Sequence, residues 1–226
     1  MAEQISKAIV LKIIDSSTNE NDSFVDFFGK KGKFRLLAKG INKAASKNKA
    51  NLLVGSVAEI EYFAARKYGS VGRLKKATTI QNIDYSSSAN LNFVIHAVKI
   101  LDSILGKSFD MFDKYCQTLK YLGEGINKRL LLFVLANSLF SFGIGPIINK
   151  CVECKNTQNL ADFEFYKGGF LCNLHSTKTR WNKELKSIYY MFYDLEKFIK
   201  MINGEIVDKL IAEVLDHLQS NGIYIF

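Results

Sequence analysis

Cys151, Cys154, Cys172 and His175 are the residues whose types and spacing most plainly imply chemistry. They read CVEC, then seventeen residues, then CNLH. Two short knuckles at this separation can gather three thiolates and one imidazole around a single point, the ligand set and count of a tetrahedral zinc site. Soft sulfur donors select zinc over the hard cations. Four protein ligands close the coordination shell, whereas a catalytic zinc keeps one position for water, so a single structural Zn2+ is the expected cofactor. No HExxH or HxE element accompanies the cysteines. The competing readings are cysteines that merely pack or form disulfides. Disulfides are disfavoured, since the start MAEQISKAIVLK has no secretory character and only Cys116 remains as a further thiol. Cys116 sits at helical spacing in FDMFDKYCQTLKYLG and reads as a small core residue.

The segment between the knuckles, NLADFEFYKGGFLCNLH, has the pattern of a β-hairpin: an alternating run, a Gly168-Gly169 turn and an apolar return strand. A zinc-ribbon-like module over residues 148–178 is therefore expected. It would pin a connection that would otherwise be a thirty-residue loop, which compact domains rarely tolerate.

Charge supplies the second signal. Of the net +9, residues 1–80 carry fifteen Lys and Arg against seven Asp and Glu, while the remainder is close to neutral. Residues 30–49 hold Lys30, Lys31, Lys33, Arg35, Lys39, Lys43, Lys47 and Lys49 and no acid. Such a run can be a solvated loop, but attached to strands it points to a face that binds polyanions. Lysine outnumbers arginine 26 to 5, which favours point contacts with phosphate over bidentate reading of base edges. The candidate backbone contacts are Lys30, Lys31, Lys33, Arg35, Lys39 and Lys43. A second group holds Arg66, Lys67, Arg73, Lys75 and Lys76, with Tyr68 as a ring on which a base could stack.

The elements that must position these groups change character near residue 80. Before it, strand-like runs at 5–14, 24–28, 34–39, 57–63 and 69–80 are separated by turn signals, and GINKAASKNKAN after Ala38 has the look of a mobile loop. About five short strands without a long helix suit an OB-type β-barrel. After it, helical periodicity takes over at 89–105, 109–122, 130–142, 182–202 and 205–219. In the first helix the expected apolar stripe is Leu91, Val94, Ile95, Val98, Leu101, Ile104 and Leu105. Ser86-Ser87-Ser88 supplies its cap. The expected class is α+β: an N-terminal OB-type barrel (1–80), then a helical domain (81–226) interrupted by the zinc module. The apolar stretch 130–142 is too short for a membrane span, so no membrane partner and a cytoplasmic location are expected.

Specific strings reinforce this. KAIVLKIID, FFGKKGKFRLLAKGINK, NLLVGSVAEIEYF, YGSVGRLKKATTI and the pair CVEC and CNLH resemble, in order, the strands and cysteine knuckles of the bacterial recombination mediator family RecO. Zinc-bearing members of that family commonly have cysteine as the fourth ligand, where this chain has His175. The resemblance implies a non-enzymatic protein of recombinational repair. It would bind single- and double-stranded DNA without sequence preference and anneal complementary strands. With the partner RecR it would help load RecA on DNA coated with single-stranded-DNA-binding protein, whose acidic C-terminal tail is a further implied partner. A nucleoid-associated location in the cytoplasm follows. The residues alone leave a second reading open, an OB-fold and zinc-ribbon RNA or tRNA binder, because both ligands are polyanions. No Ser/His/Asp set, paired-carboxylate motif or P-loop is present.

Overall fold

The computed structural model describes residues 3–65, 67, 69–106 and 110–226. It divides into two compact units, Met1–Leu119 and Lys120–Phe226, so the boundary expected at 80/81 falls inside the first.

The first unit contains five strands: β1 (Glu3–Asp15), β2 (Ser23–Gly29), β3 (Gly32–Ala38), β4 (Val57–Phe63) and β5 (Gly72–Gln81). β1 is long enough to pair with β4 through its first half and with β2 through its second, in the order β1-β2-β3-β5-β4. Four of the seams are antiparallel. The ring is completed by a parallel seam of only two residue pairs, Leu36 with Gly72 and Leu37 with Arg73. The sheet is thus OB-like, continuous through β1, β2, β3 and β4 and nearly open between β3 and β5. Alternate side chains point inward: Ala8, Val10, Val25, Phe27, Leu36 and Ile60 are all buried in one core. Against it Phe27, Phe34 and Tyr62 form a stack with centroids 5.5 and 5.8 Å apart.

Two helices belong to the same unit, α1 (Ser88–Ser103) and α2 (Met111–Thr118). Ser87 caps α1, its hydroxyl accepting from the Asn90 N–H. The apolar stripe is rotated from the expected one. Asn90, Phe93, Val94, Ala97, Ile100 and Leu101 are buried, whereas Leu91 and Ile95 are exposed and Leu105 lies beyond the helix. Phe93 is decisive, because its ring stacks on the fully buried Tyr115 of α2 and brings that face inward. Tyr115 donates to the Gly55 carbonyl at 2.7 Å. Gly55 has φ +89°, and a Cβ there would lie 2.6 Å from Val94, so this approach requires glycine.

The second unit is built on α3 (Asn127–Ser141), buried on most faces as its sequence predicts, with α4 (Asn182–Tyr193), α5 (Leu195–Met201) and α6 (Gly204–Ser220). The single helix expected over 182–202 is two. Asp194 is extended (φ −147°, ψ 101°) and its carboxylate accepts from the Lys197 N–H at 3.0 Å, which stops α4 and starts α5. Between α3 and α4 lies a hairpin, β6 (Leu160–Glu164) with β7 (Gly169–Cys172), as the alternation and Gly168-Gly169 imply. Gly169 has φ +143° and forms a bridge with Ile147, and an added Cβ would stand 2.0 Å from the Ile147 carbonyl oxygen. No helix among the described residues is long and apolar enough to cross a membrane.

Gly169→Ala therefore strikes backbone, not a yielding side chain. We expect a loss of at least about 2 kcal/mol, read as a fall in melting temperature of roughly 5 °C or more by calorimetry. Gly204→Ala, where a Cβ meets nothing within 4 Å, is the control that should leave melting almost unchanged.

Candidate metal centre and basic face

The two knuckles are held by backbone before any ion is considered. In the first, Lys155 takes a left-handed conformation (φ 64°) and its N–H returns to the Cys151 carbonyl at 3.0 Å. The Cys151 N–H donates to Asn156 and the Val152 N–H to the Phe170 carbonyl, lacing the knuckle to β7. In the second, the N–H groups of His175 and Ser176 both reach the Cys172 carbonyl at 3.0 Å. The four donor atoms consequently lie within 4.8 Å of one another. Cys154 Sγ is 3.7 Å from Cys172 Sγ, and His175 Nδ1 is 3.2 Å from Cys172 Sγ and 3.8 Å from Cys151 Sγ. A tetrahedral ion with Zn–S of about 2.3 Å and Zn–N of about 2.0 Å needs edges of roughly 3.5–3.8 Å, so the cluster is compatible with zinc binding.

Electrostatics favour the thiolate that a metal requires at Cys151 and Cys172, while Cys154 and His175 are shifted toward their protonated forms. Burial works to raise the Cys151 thiol, but hydrogen bonds from the backbone of Cys154, Cys172 and Glu153 outweigh it and lower the value to about 6. The Cys172 thiol is lowered chiefly by its hydrogen bond to His175, and the same bond raises His175. Cys116 behaves oppositely. Burial pushes it up to about 11, which keeps it a protonated, unreactive thiol.

A residue that the sequence did not single out fastens this module. Arg180 sits just past the second knuckle, its side chain 14% exposed, and each of its three guanidinium nitrogens bonds a carboxylate. Nε donates to Asp162 of β6 at 3.0 Å, Nη1 to Glu184 of α4 at 2.6 Å, and Nη2 to both Glu213 oxygens of α6 at 3.0 and 2.9 Å. Ser176, beside His175, donates to the other Asp162 oxygen at 2.9 Å, and Lys209 donates to Glu184 at 2.9 Å. Burial opposes the charged guanidinium, but Glu213 and Glu184 more than offset it, so its pKa is raised. One cation thus joins hairpin, α4 and α6.

The basic candidates divide into two groups. Five are committed to carboxylates: Lys30 to Asp113 (3.0 Å), Lys33 to Asp102 (3.1 Å), Arg35 to Asp26, Lys75 to Glu3 and Glu61, and Lys76 to Glu61 (3.7 Å). Arg35 and Asp26 are cross-strand partners joined in a fork of 2.5 and 2.8 Å, and that bond holds the guanidinium pKa up. Lys75 is likewise raised by its hydrogen bonds to Glu3 and Glu61. A phosphate would have to compete for all five. Lys31, Lys39, Lys43, Lys67 and Arg73 are exposed and form no ion pair among the described residues; Arg73 lies over the Phe63 ring at 5.8 Å. Arg66 and Tyr68 lie outside the described residues.

Lys39 and Lys43, with Lys47 and Lys49, project from the segment expected to be a mobile loop, and three asparagines hold it instead. Asn42 Nδ2 donates to the Glu20 carbonyl at 2.9 Å and to Ser23 Oγ at 3.2 Å. Asn48 Oδ1 accepts from the Ala77 N–H at 2.9 Å, and Asn51 Oδ1 from the Thr79 N–H at 3.0 Å. Asn48 Nδ2 also reaches the Lys75 carbonyl at 3.3 Å. Alternation of the loop's asparagines with lysines was the signal that could have revealed latches between displayed cations.

Comparison with known proteins agrees with these features. The family model described as Recombination protein O N terminal matches residues 1–83, and Recombination protein O C terminal matches residues 106–191. A DNA repair protein RecO of Mesoplasma florum is 27% identical, covering 99% of this chain and 88% of its own length. Those of Syntrophomonas wolfei (27%, 74% of this chain and 68% of theirs) and Oceanobacillus iheyensis (24%, 100% and 91%) are similar. An asparaginyl-tRNA synthetase of Entamoeba histolytica shares only a TM-score of 0.30 at 10% identity, covering 75% of this chain and 39% of its own, and carries no argument.

Arg180→Ala would leave Asp162, Glu184 and Glu213 facing one another with little solvent. A stability loss of about 3 kcal/mol is expected in denaturant unfolding, with Arg180→Lys restoring only a minor part because one ammonium cannot span three carboxylates. An alanine variant as stable as the parent would show that the network is idle.

Proposed function

The chain belongs to the recombination protein O family, and we propose that it acts in DNA repair by gripping DNA backbones with the unpaired lysines of its barrel unit. Membership implies a role in DNA repair and recombination. The supporting observation is a loop latched by Asn42, Asn48 and Asn51 that holds exposed lysines clear of carboxylates on an OB-like sheet. Latching lowers the ordering cost of binding, and cations without protein partners have no bond to give up. Phosphate contact by lysine carries no base preference, so affinity would be general and strongly salt-dependent.

In this reading the protein works by binding and not by catalysis. Two strands held on one cationic surface repel each other less, which lowers the barrier to annealing. Cooperation with RecR in loading RecA on coated single strands follows the family. The tail of single-stranded-DNA-binding protein would place its apolar side chains in the groove of 280 Å³ walled by Leu53, Val54, Tyr85, Leu91, Val94 and Ile95. The Cys151, Cys154, Cys172 and His175 cluster would hold one Zn2+ as a structural ion, its four protein donors leaving no position for water. A cytoplasmic, nucleoid-associated location accompanies this role.

Two measurements test the proposal. If Lys31, Lys39, Lys43, Lys67 and Arg73 neutralise phosphates on a single strand, log K against log salt should slope at roughly −3.5, and Lys31→Glu/Lys39→Glu/Lys43→Glu should flatten it by about 2. Affinity should drop at least about tenfold at low salt, with a matching fall in annealing rate, while Lys76→Gln changes little because Glu61 already occupies that ammonium. Unchanged affinity and annealing in the triple variant would sink this interface. For the metal, elemental analysis should find one zinc per chain. Its affinity should weaken as pH falls, because protons compete for the thiolates and the imidazole. His175→Cys should retain the ion and His175→Ala should lose it more readily. A chelated protein that keeps its melting curve would argue against a structural ion.

A further inference from the structure

The Lys120–Phe226 unit contains a cleft of 460 Å³ that the reading above leaves unused. Its walls are the β6–β7 turn, the segment 178–181 and the last turns of α6, and the Arg180 network forms part of its lining. The size falls within the usual range for pockets that take small groups. Two properties decide what could enter.

The first is charge. Five carboxylates line the cleft, Asp162, Glu164, Glu184, Glu213 and Asp216, against three fixed cations, Lys178, Arg180 and Lys209. That surplus of two negative charges occurs in a chain whose net charge is +9. Arg180 takes up Asp162, Glu184 and Glu213, and Lys209 shares Glu184. Glu164 and Asp216 form no ion pair among the described residues; Glu164 instead accepts a hydrogen bond from Tyr166. The network of three carboxylates and two cations keeps one negative charge, and Glu164 and Asp216 together outweigh Lys178 by another.

The second is the aromatic lining. Tyr166 is 76% exposed and Trp181 63% exposed, large rings left in water at the cleft. The Phe165 and His217 rings lie 5.6 Å apart on the same wall. Ring faces beside unpaired carboxylates attract cations, and a guanidinium is best matched because it can stack on indole or phenol while forking onto a carboxylate. A nucleic-acid strand could also stack on Trp181, but it would bring phosphates to the place where negative charge is already in excess.

We propose that this cleft binds an arginine-bearing basic segment of a partner protein, with one guanidinium between Trp181 and Tyr166 and its charge met by Glu164 and Asp216. Trp181 is the only tryptophan of the chain, so its fluorescence reports on the cleft directly. Titration of the full chain with acetyl-Arg-Arg-Arg-amide should give a saturable change in emission that weakens with salt, and a tri-glutamate peptide should give none. Glu164→Gln/Asp216→Asn should reduce the peptide affinity about fivefold to tenfold while the melting curve stays in place. If the double variant fails to fold, Asp216→Asn alone, on the exposed face of α6, should still show a measurable loss. Absence of a saturable response to the arginine peptide, or an equal response in the folded carboxylate variants, would overturn the proposal. So would a saturable Trp181 response to oligo-dT that displaces the peptide and is lost in Lys178→Gln.

Discussion

The unpaired edge of β5 is the constraint from which the rest of the barrel unit follows. The strand runs ten residues, yet only Gly72 and Arg73 meet β3. Beyond them its outer edge offers the carbonyl of Lys75 and the N–H groups of Ala77 and Thr79, which in a half-buried setting must find partners or cost about 1–3 kcal/mol each. The amides of Asn48 and Asn51 supply those partners, imitating a neighbouring strand with side chains. A third amide, Asn42, ties the start of the same loop to the β1–β2 turn. The loop is thereby fixed along the barrel. The lysines between these latches are exposed and form no ion pair among the described residues, so display of cations is a by-product of finishing the sheet.

This explains which parts of the molecule were legible beforehand. Strand alternation and turn residues located all five barrel strands, and the Cys and His spacing located the cluster of three cysteines and a histidine, because both signals are local in the chain. Pairing of the basic residues was not legible for the opposite reason. Residues 30–49 contain no acid, but Asp26 comes from the facing strand, Asp102 from α1 and Asp113 from α2. The rotated face of α1 has a similar origin: Leu91 and Ile95 fit a helical stripe as well as Phe93 and Ala97 do, and only the stack of Phe93 on Tyr115 decides between them. The mobile-loop expectation rests on the scarcity of large apolar residues between Gly40 and Asn51, and it misses the amides of Asn48 and Asn51 that bond a strand edge.

Arg180 illustrates the same limit in the second unit. Its partners lie 18, 4 and 33 residues away, so no window of sequence contains the network. Once assembled it links the second knuckle to two helices through Ser176 and Asp162. The break between α4 and α5 belongs to this class as well. Asp194 reads as an ordinary polar helix residue, and only its extended backbone and its bond to Lys197 reveal a cap.

The two units therefore use positive charge in opposite ways, and the difference is one of solvent. Arg180 is largely enclosed, its guanidinium making four hydrogen bonds to three carboxylates, and removing any partner would strand a charge at a cost of several kcal/mol. Such a group can hold a fold together but has nothing left for a ligand. Lys31, Lys39 and Lys43 stand in water, where single ion pairs are worth only about 0–1 kcal/mol each. Individually they bind nothing well. Several together on a latched surface would add through counterion release against any polyanion, with a strong dependence on salt. Exposed, numerous and weak cations are available for exchange with a ligand, whereas the one strong cation is committed to the fold.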